Sequence, residues 1–156
     1  GVGPVNNETE SWNGTNWTEL NNLTDSREWV TGAGDVSNTV AFGGQSPGYT
    51  ANTELWNGTN WTEVNNLNDA RSSMGGAGTS TSALGFGGDS PGAVGVTEDW
   101  NGTNWTEGND LNTARYGLGG SGTSTLALAF GGYTTTAVAN TEEWTSPSTV
   151  VKTLTD

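Results

Sequence analysis

Cysteine and histidine are both missing from the 156 residues, and the cations number only four, against seventeen acids. Without a thiol there is no disulfide and no cysteine chemistry. Without thiol or imidazole, zinc and copper lose the ligands they most often use. The formal net charge of −13 repels the phosphates of nucleic acid and the anionic headgroups of a membrane surface, so neither is an expected partner. The acidity serves solubility, or it attracts cations or basic partners. No run approaches the roughly 20 apolar residues of a membrane span, and no apolar signal-like stretch opens the chain. Hydrophobic residues amount to only 31%, a polar balance that would read as disorder but for eight tryptophans and a strict internal repetition.

That repetition is the strongest signal present. "ESWNGTNWTELNNLTDSR" at 10–27 returns as "ELWNGTNWTEVNNLNDAR" at 54–71 and as "EDWNGTNWTEGNDLNTAR" at 98–115. Trp12, Trp56, Trp100 and Trp144 are each 44 residues apart. The same step separates Trp17, Trp61 and Trp105; Arg27, Arg71 and Arg115; and Glu10, Glu54, Glu98 and Glu142. Gly43-Gly44, Gly87-Gly88 and Gly131-Gly132 keep it too. The array divides into a half-unit at 6–23 and repeats at 24–67, 68–111 and 112–155, the last degenerate, within a single domain over 1–156.

Within one period the apolar residues alternate or cluster over a few positions, with Gly, Asn, Asp or Pro at each join. After Arg71, "SSMGGAG" reads as a strand a, "ALGFGG" as b, "VTEDW" as c and "WTEGN" as d. No useful 3.6-residue period occurs. Four antiparallel strands every 40 to 50 residues describe one blade of an all-β propeller, about three blades in this chain. Asn57-Gly58 marks a hairpin turn that sets Trp56 and Trp61 on one face, directly opposite if the loop has four residues. Such an indole pair packs a core against the next blade or stacks on a sugar; both readings stand at this point. Arg27, Arg71 and Arg115, three of the four cations, are expected to pair with the equally periodic glutamates between strands.

These residues resemble the kelch repeat. That propeller family is marked by a double glycine (here Gly87-Gly88), a later aromatic (Trp100), a tryptophan soon after (Trp105) and a following arginine (Arg115). The repeat is shorter than is usual in the family, and Trp replaces the customary tyrosine. The resemblance implies a protein-binding role or, in the galactose-oxidase branch, a copper site, which a chain without His or Cys does not supply. The wording is also similar to kelch-like arrays of extracellular and phage-virion proteins, which implies an extracellular or virion-associated location.

Function is expected where the repeats differ. In a meander the b–c and d–a loops share one end, and there "QSPGYTAN", "DSPGAVGV" and "YTTTAVAN" diverge, as do "EWV", "SSM" and "YGL" after each arginine. Trp29, Tyr49, Tyr116 and Tyr133 are the aromatic outliers at that end and the candidate ligand-binding residues. The expected function is therefore a non-catalytic extracellular module that binds a glycan or surface protein through this face. The alternative is a structural or decorating piece of a virion or cell-surface assembly. No nucleophile elbow, isolated carboxylate dyad, calcium loop or phosphate loop appears, so neither catalytic residues nor a cofactor or metal is assigned.

Two features concern closure. "TEEWTSPSTVVKTLTD" keeps Glu142 and Trp144 but carries Thr149 where other repeats carry a tryptophan, like the end of an array or an exit strand. Three blades do not close a ring, since propellers use four to eight. The expected partner is a second copy, giving a homodimeric six-bladed ring in which one chain's amino-terminal c–d hairpin completes the other's last a–b hairpin; otherwise it is the rest of a longer chain.

Overall fold

The computed structural model describes residues 5–146, and every regular element there is a β-strand. In chain order these are β1 (Glu10–Trp12), β2 (Trp17–Glu19), β3 (Thr31–Gly34), β4 (Thr39–Phe42), β5 (Thr53–Trp56), β6 (Trp61–Val64) and β7 (Gly75–Thr79). There follow β8 (Ser82–Phe86), β9 (Thr97–Trp100), β10 (Trp105–Glu107), β11 (Gly119–Gly122), β12 (Leu126–Phe130) and β13 (Thr141–Thr145). They form four antiparallel sheets: the hairpin β1–β2, the meanders β3–β4–β5–β6 and β7–β8–β9–β10, and the three-stranded β11–β12–β13.

The a, b, c, d order of the repeat is thus realised, with shorter strands than the sequence implies. Strand a opens at Gly75 rather than Ser72, because Ser73 takes φ 55 and swings the chain out of line. Strand b stops at Phe86, because Gly87 and Gly88 turn away at φ 65 and 116. Strand d keeps only Trp105–Glu107 of "WTEGN". Thr149 lies outside the described residues.

The Asn-Gly segment is a four-residue loop. Asn57 Oδ1 accepts the N–H groups of Thr59 and Asn60 at 3.0 and 2.9 Å, and Gly58 takes φ 88. Trp56 then pairs directly with Trp61, as Trp12 does with Trp17 and Trp100 with Trp105. The paired indoles stand 5.5, 5.4 and 5.3 Å apart, close enough for tilted ring packing. Their burial differs sharply along the chain. Trp100 and Trp105 are buried and Trp56 is 5% exposed, but Trp12 and Trp17 are 50% and 63% exposed. The pair is core in the later sheets and surface in the first.

Adjacent sheets come closest at their first strands, β3 against β7 and β7 against β11. Glycine makes that approach feasible. A Cβ at Gly120 would stand 2.4 Å from the Gly76 carbonyl oxygen and 2.6 Å from the Phe86 ring. Between the first two meanders the core gathers Val40, Phe42, Leu67, Met74, Trp100 and Trp105, with Phe42 edge-on to Trp105 at 4.8 Å. Farther out, Trp105 Nε1 donates to Thr53 Oγ1 at 3.1 Å, across sheets.

Each arginine sits in the connector between two sheets and reaches forward. Arg27 pairs with Glu54 at 3.0 Å and Arg71 with Glu98 at 3.0 Å, all four side chains at most 1% exposed; Arg115 pairs with Glu142. Arg71 Nη1 approaches Glu98 Oε1 at an angle poor for a hydrogen bond, so that contact is chiefly an ion pair. Burial pulls the Arg27 and Arg71 guanidinium pKa values down from their ordinary value, while the facing glutamates oppose it. The other carboxylate oxygen takes connector N–H groups, from Thr24, Asn68 and Asn112 respectively. The double glycines complete the joint: Gly44 N–H donates to the Arg71 carbonyl and Gly88 N–H to that of Arg115. Among the described residues, Glu10 pairs with no arginine.

Two outcomes follow for equilibrium unfolding. Glu98→Gln is expected to lower stability by about 3 kcal/mol by stranding a buried guanidinium, and the apolar double variant Arg71→Met/Glu98→Leu by clearly less. Gly120→Ala is expected to lower the melting temperature through backbone overlap, whereas Gly48→Ala, with nothing within 4 Å, is expected to leave it unchanged.

Candidate functional site

The loops that differ between repeats meet at one end of the sheets. Glu28, Ser72 and Tyr116, each following a connector arginine, form single antiparallel bridges with Gln45, Asp89 and Tyr133, each following a double glycine. Backbone hydrogen bonds carry this line from sheet to sheet: Ser73 N–H donates to the Trp29 carbonyl at 3.1 Å, and Gly117 N–H to that of Ser73 at 2.8 Å. The repeat therefore builds a level platform on which only the side chains vary.

A cleft of about 420 Å³ opens there, lined by Trp29, Gln45, Ser73, Met74, Asp89 and Tyr116 among others. Trp29 stands at its edge, 63% exposed, with φ 60. That is the left-handed region, uncommon for any side chain and costly for a bulky one. The equivalent residues Ser73 and Gly117 take φ 55 and 62, so the repeat imposes the backbone shape and only the third copy meets it with glycine. An exposed indole held in such a conformation contributes little to folding.

Of the other three aromatic candidates only Tyr116 lines the cleft, while Tyr133 and Tyr49 each touch a residue that does. Tyr116 lines it, and Tyr133 stacks on Tyr116 with ring centres 5.5 Å apart. Tyr49 donates its hydroxyl to Asp89 Oδ2 at 2.6 Å, spanning two sheets. That hydrogen bond is the main cause raising the Tyr49 phenol above its ordinary pKa. Asp89 Oδ1 accepts the Gly92 N–H, so both oxygens of this carboxylate are engaged.

Asp89, Gln45 and Ser73 were not singled out by the sequence reading. The signal was there: after the double glycine, an otherwise uniform repeat writes Gln, Asp and Tyr in turn. Scoring every position for difference between repeats, rather than aromatics alone, finds them. Polar atoms from Gln45, Asp89 and Ser73 beside flat aromatic faces can hydrogen-bond hydroxyls while a ring covers a C–H surface. No lysine or arginine lines the cleft among the described residues, and Asp89 brings negative charge, so an anionic ligand is disfavoured. The described residues contain no cluster of three or more His, Cys, Asp or Glu suited to a metal ion.

Comparison with solved structures gives a likeness of fold. The chain is similar to YjhT, with a TM-score of 0.69 at 15% identity, over 80% of this chain and 45% of that one. It therefore spans under half the length of YjhT, and identity this low speaks to the arrangement of strands alone. No protein-family model matches the chain, and no curated protein matches it.

Strain at Trp29 is measurable. Trp29→Gly is expected to raise the unfolding free energy by about 1 kcal/mol, as is Ser73→Gly, because glycine takes φ near +60° without the Cβ penalty. Thermal melting of the two variants beside the parent chain tests this.

Proposed function

We propose that the chain is a kelch-like β-propeller array that recognises a neutral glycan, without chemistry, through the cleft at Trp29. The propeller reading is supported by meanders that repeat every 44 residues, touch through their first strands and share double-glycine, tryptophan and arginine positions with the kelch pattern. The glycan reading rests on one observation above the rest: the repeat forces residue 29 into a left-handed conformation, and the chain keeps there an exposed tryptophan rather than glycine. A strained, solvent-facing indole at the lip of a largely apolar cleft that also carries Gln45, Ser73 and Asp89 is a platform for the C–H face of a sugar ring. Gln45 and Asp89 supply the acceptors for its hydroxyls.

The negative charge and lack of cations at the cleft favour uncharged hexoses over acidic sugars or phosphorylated ligands. Asp89 is committed to Tyr49 and Gly92, which suits an acceptor better than a proton donor. An extracellular or virion-associated setting, where glycans are displayed, fits this reading and the family resemblance alike.

Titration calorimetry with neutral oligosaccharides chosen from a glycan array tests it. Binding is expected in the parent, with at least a tenfold loss in Trp29→Ala and a smaller loss in Tyr49→Phe, which removes the partner that orients Asp89. Absence of binding across the array, or equal binding by Trp29→Ala, would favour a purely structural role in an assembly.

A further inference from the structure

Beyond the cleft, much of the exposed apolar surface lies on the first hairpin, at Trp12 and Trp17, and on the last sheet, at Leu126, Leu128 and Phe130, and the two surfaces match. Trp61 Nε1 donates to Thr9 Oγ1 at 3.0 Å and Trp105 Nε1 to Thr53 Oγ1 at 3.1 Å, so each indole reaches the threonine 52 residues earlier. The next position in this series is Thr97, 1% exposed, in a cleft that Phe86, Leu111, Ala129 and Trp144 also line. Phe86 and Leu111 stand there as Phe42 and Leu67 stand around Trp105. In the sequence, the 44-residue step from Trp105 leads to a threonine and not to another tryptophan. At the opposite end, Trp17 is 63% exposed and the β1 edge pairs only with β2.

Two more pairs of halves agree. Phe42 and Phe86 are buried over Gly76 and Gly120 of the following sheets, but Phe130 is 44% exposed, and Gly32 has no aromatic ring within 4 Å of its Cβ position. Among the described residues, Glu10 is the one repeat glutamate that pairs with no arginine. Arg115 is held by Glu142, 15% exposed where Glu54 and Glu98 are at most 1%. β13 is the most exposed of the complete third strands, with every other residue open to solvent.

We propose that the β1–β2 hairpin of a second copy docks on β12 in place of β13. Register follows the internal sheets: Ala127, Leu128 and Ala129 of one copy face Trp12, Ser11 and Glu10 of the other. Trp17 of the second copy enters the cleft at Thr97, its Glu10 takes Arg115, and its Gly32 receives Phe130. The contact continues the interface that already joins β3–β6 to β7–β10, and performed twice about a two-fold axis it closes a ring of six four-stranded sheets. It rests on the propeller reading above, since only sheets arranged about an axis bring both ends together.

A chain without cysteine makes the test clean. Native mass spectrometry of the full chain is expected to give twice the 16.1 kDa protomer mass. Ser11→Cys/Leu128→Cys is expected to form a covalent dimer on oxidation, whereas Leu128→Cys/Glu143→Cys, which ties β13 to β12 at their observed pairing, is expected to remain monomeric until reduced. Trp17→Ala is expected to weaken dimerisation at least a hundredfold with the near-ultraviolet tryptophan signal of the folded chain retained. A folded monomer at tens of micromolar, or a dimer indifferent to the β13 lock, overturns the exchange and leaves the glycan reading standing. A ladder of open oligomers overturns the closed pair and the circular arrangement on which it rests.

Discussion

A guanidinium removed from water must meet a carboxylate, and in this molecule that requirement decides how one sheet is attached to the next. The arginine lies in the connector, the glutamate in the third strand of the sheet ahead, and the connector's own N–H groups bind the same carboxylate. The double glycine then turns the second strand so that its N–H reaches the arginine's carbonyl. Apolar burial supplies most of the stabilisation, but it is non-directional. The ion pair and its hydrogen bonds fix the angle and register between sheets, and all other contacts between them follow from that setting.

The same regularity explains the form of the candidate site. Because each connector is pinned identically, residues 28, 72 and 116 arrive at equivalent places beside 45, 89 and 133, and their backbones bridge whatever side chains they carry. Variable side chains and repeated scaffold are therefore separated at the level of single atoms. The main chain repeats, the side chains above it do not, and the strained Trp29 is where the scaffold's demand and the side chain disagree most openly.

Much of this was legible before any coordinates. A strict 44-residue step announces stacked units, Asn-Gly announces the hairpin, and four glutamates set against rationed arginines announce buried pairing. Of the four aromatic outliers, Trp29 and Tyr116 line one cleft, and Tyr49 and Tyr133 contact its lining. What was not legible depends on conformation and neighbours rather than residue type. Ser73 displaced the start of strand a because its φ is imposed by the platform and not by serine's own preferences. Asp89 lines the cleft and is held there by a tyrosine forty residues away, a contact that local pattern does not encode. Trp12 and Trp17 share the letters of Trp100 and Trp105, yet they stay exposed because burial is a property of what lies alongside.

Near-identity of the contact surfaces has an evolutionary consequence. The arginine, glutamate and double glycine of each joint recur at a 44-residue step, so deleting or duplicating one whole unit would leave those joint residues correctly paired. Size could thus change in a single genetic event with little loss of foldability. The cleft has no such freedom, because Trp29, Asp89 and Tyr116 come from three different units and must arrive in that order. Selection on recognition would therefore hold the unit count steady where selection on folding would let it drift.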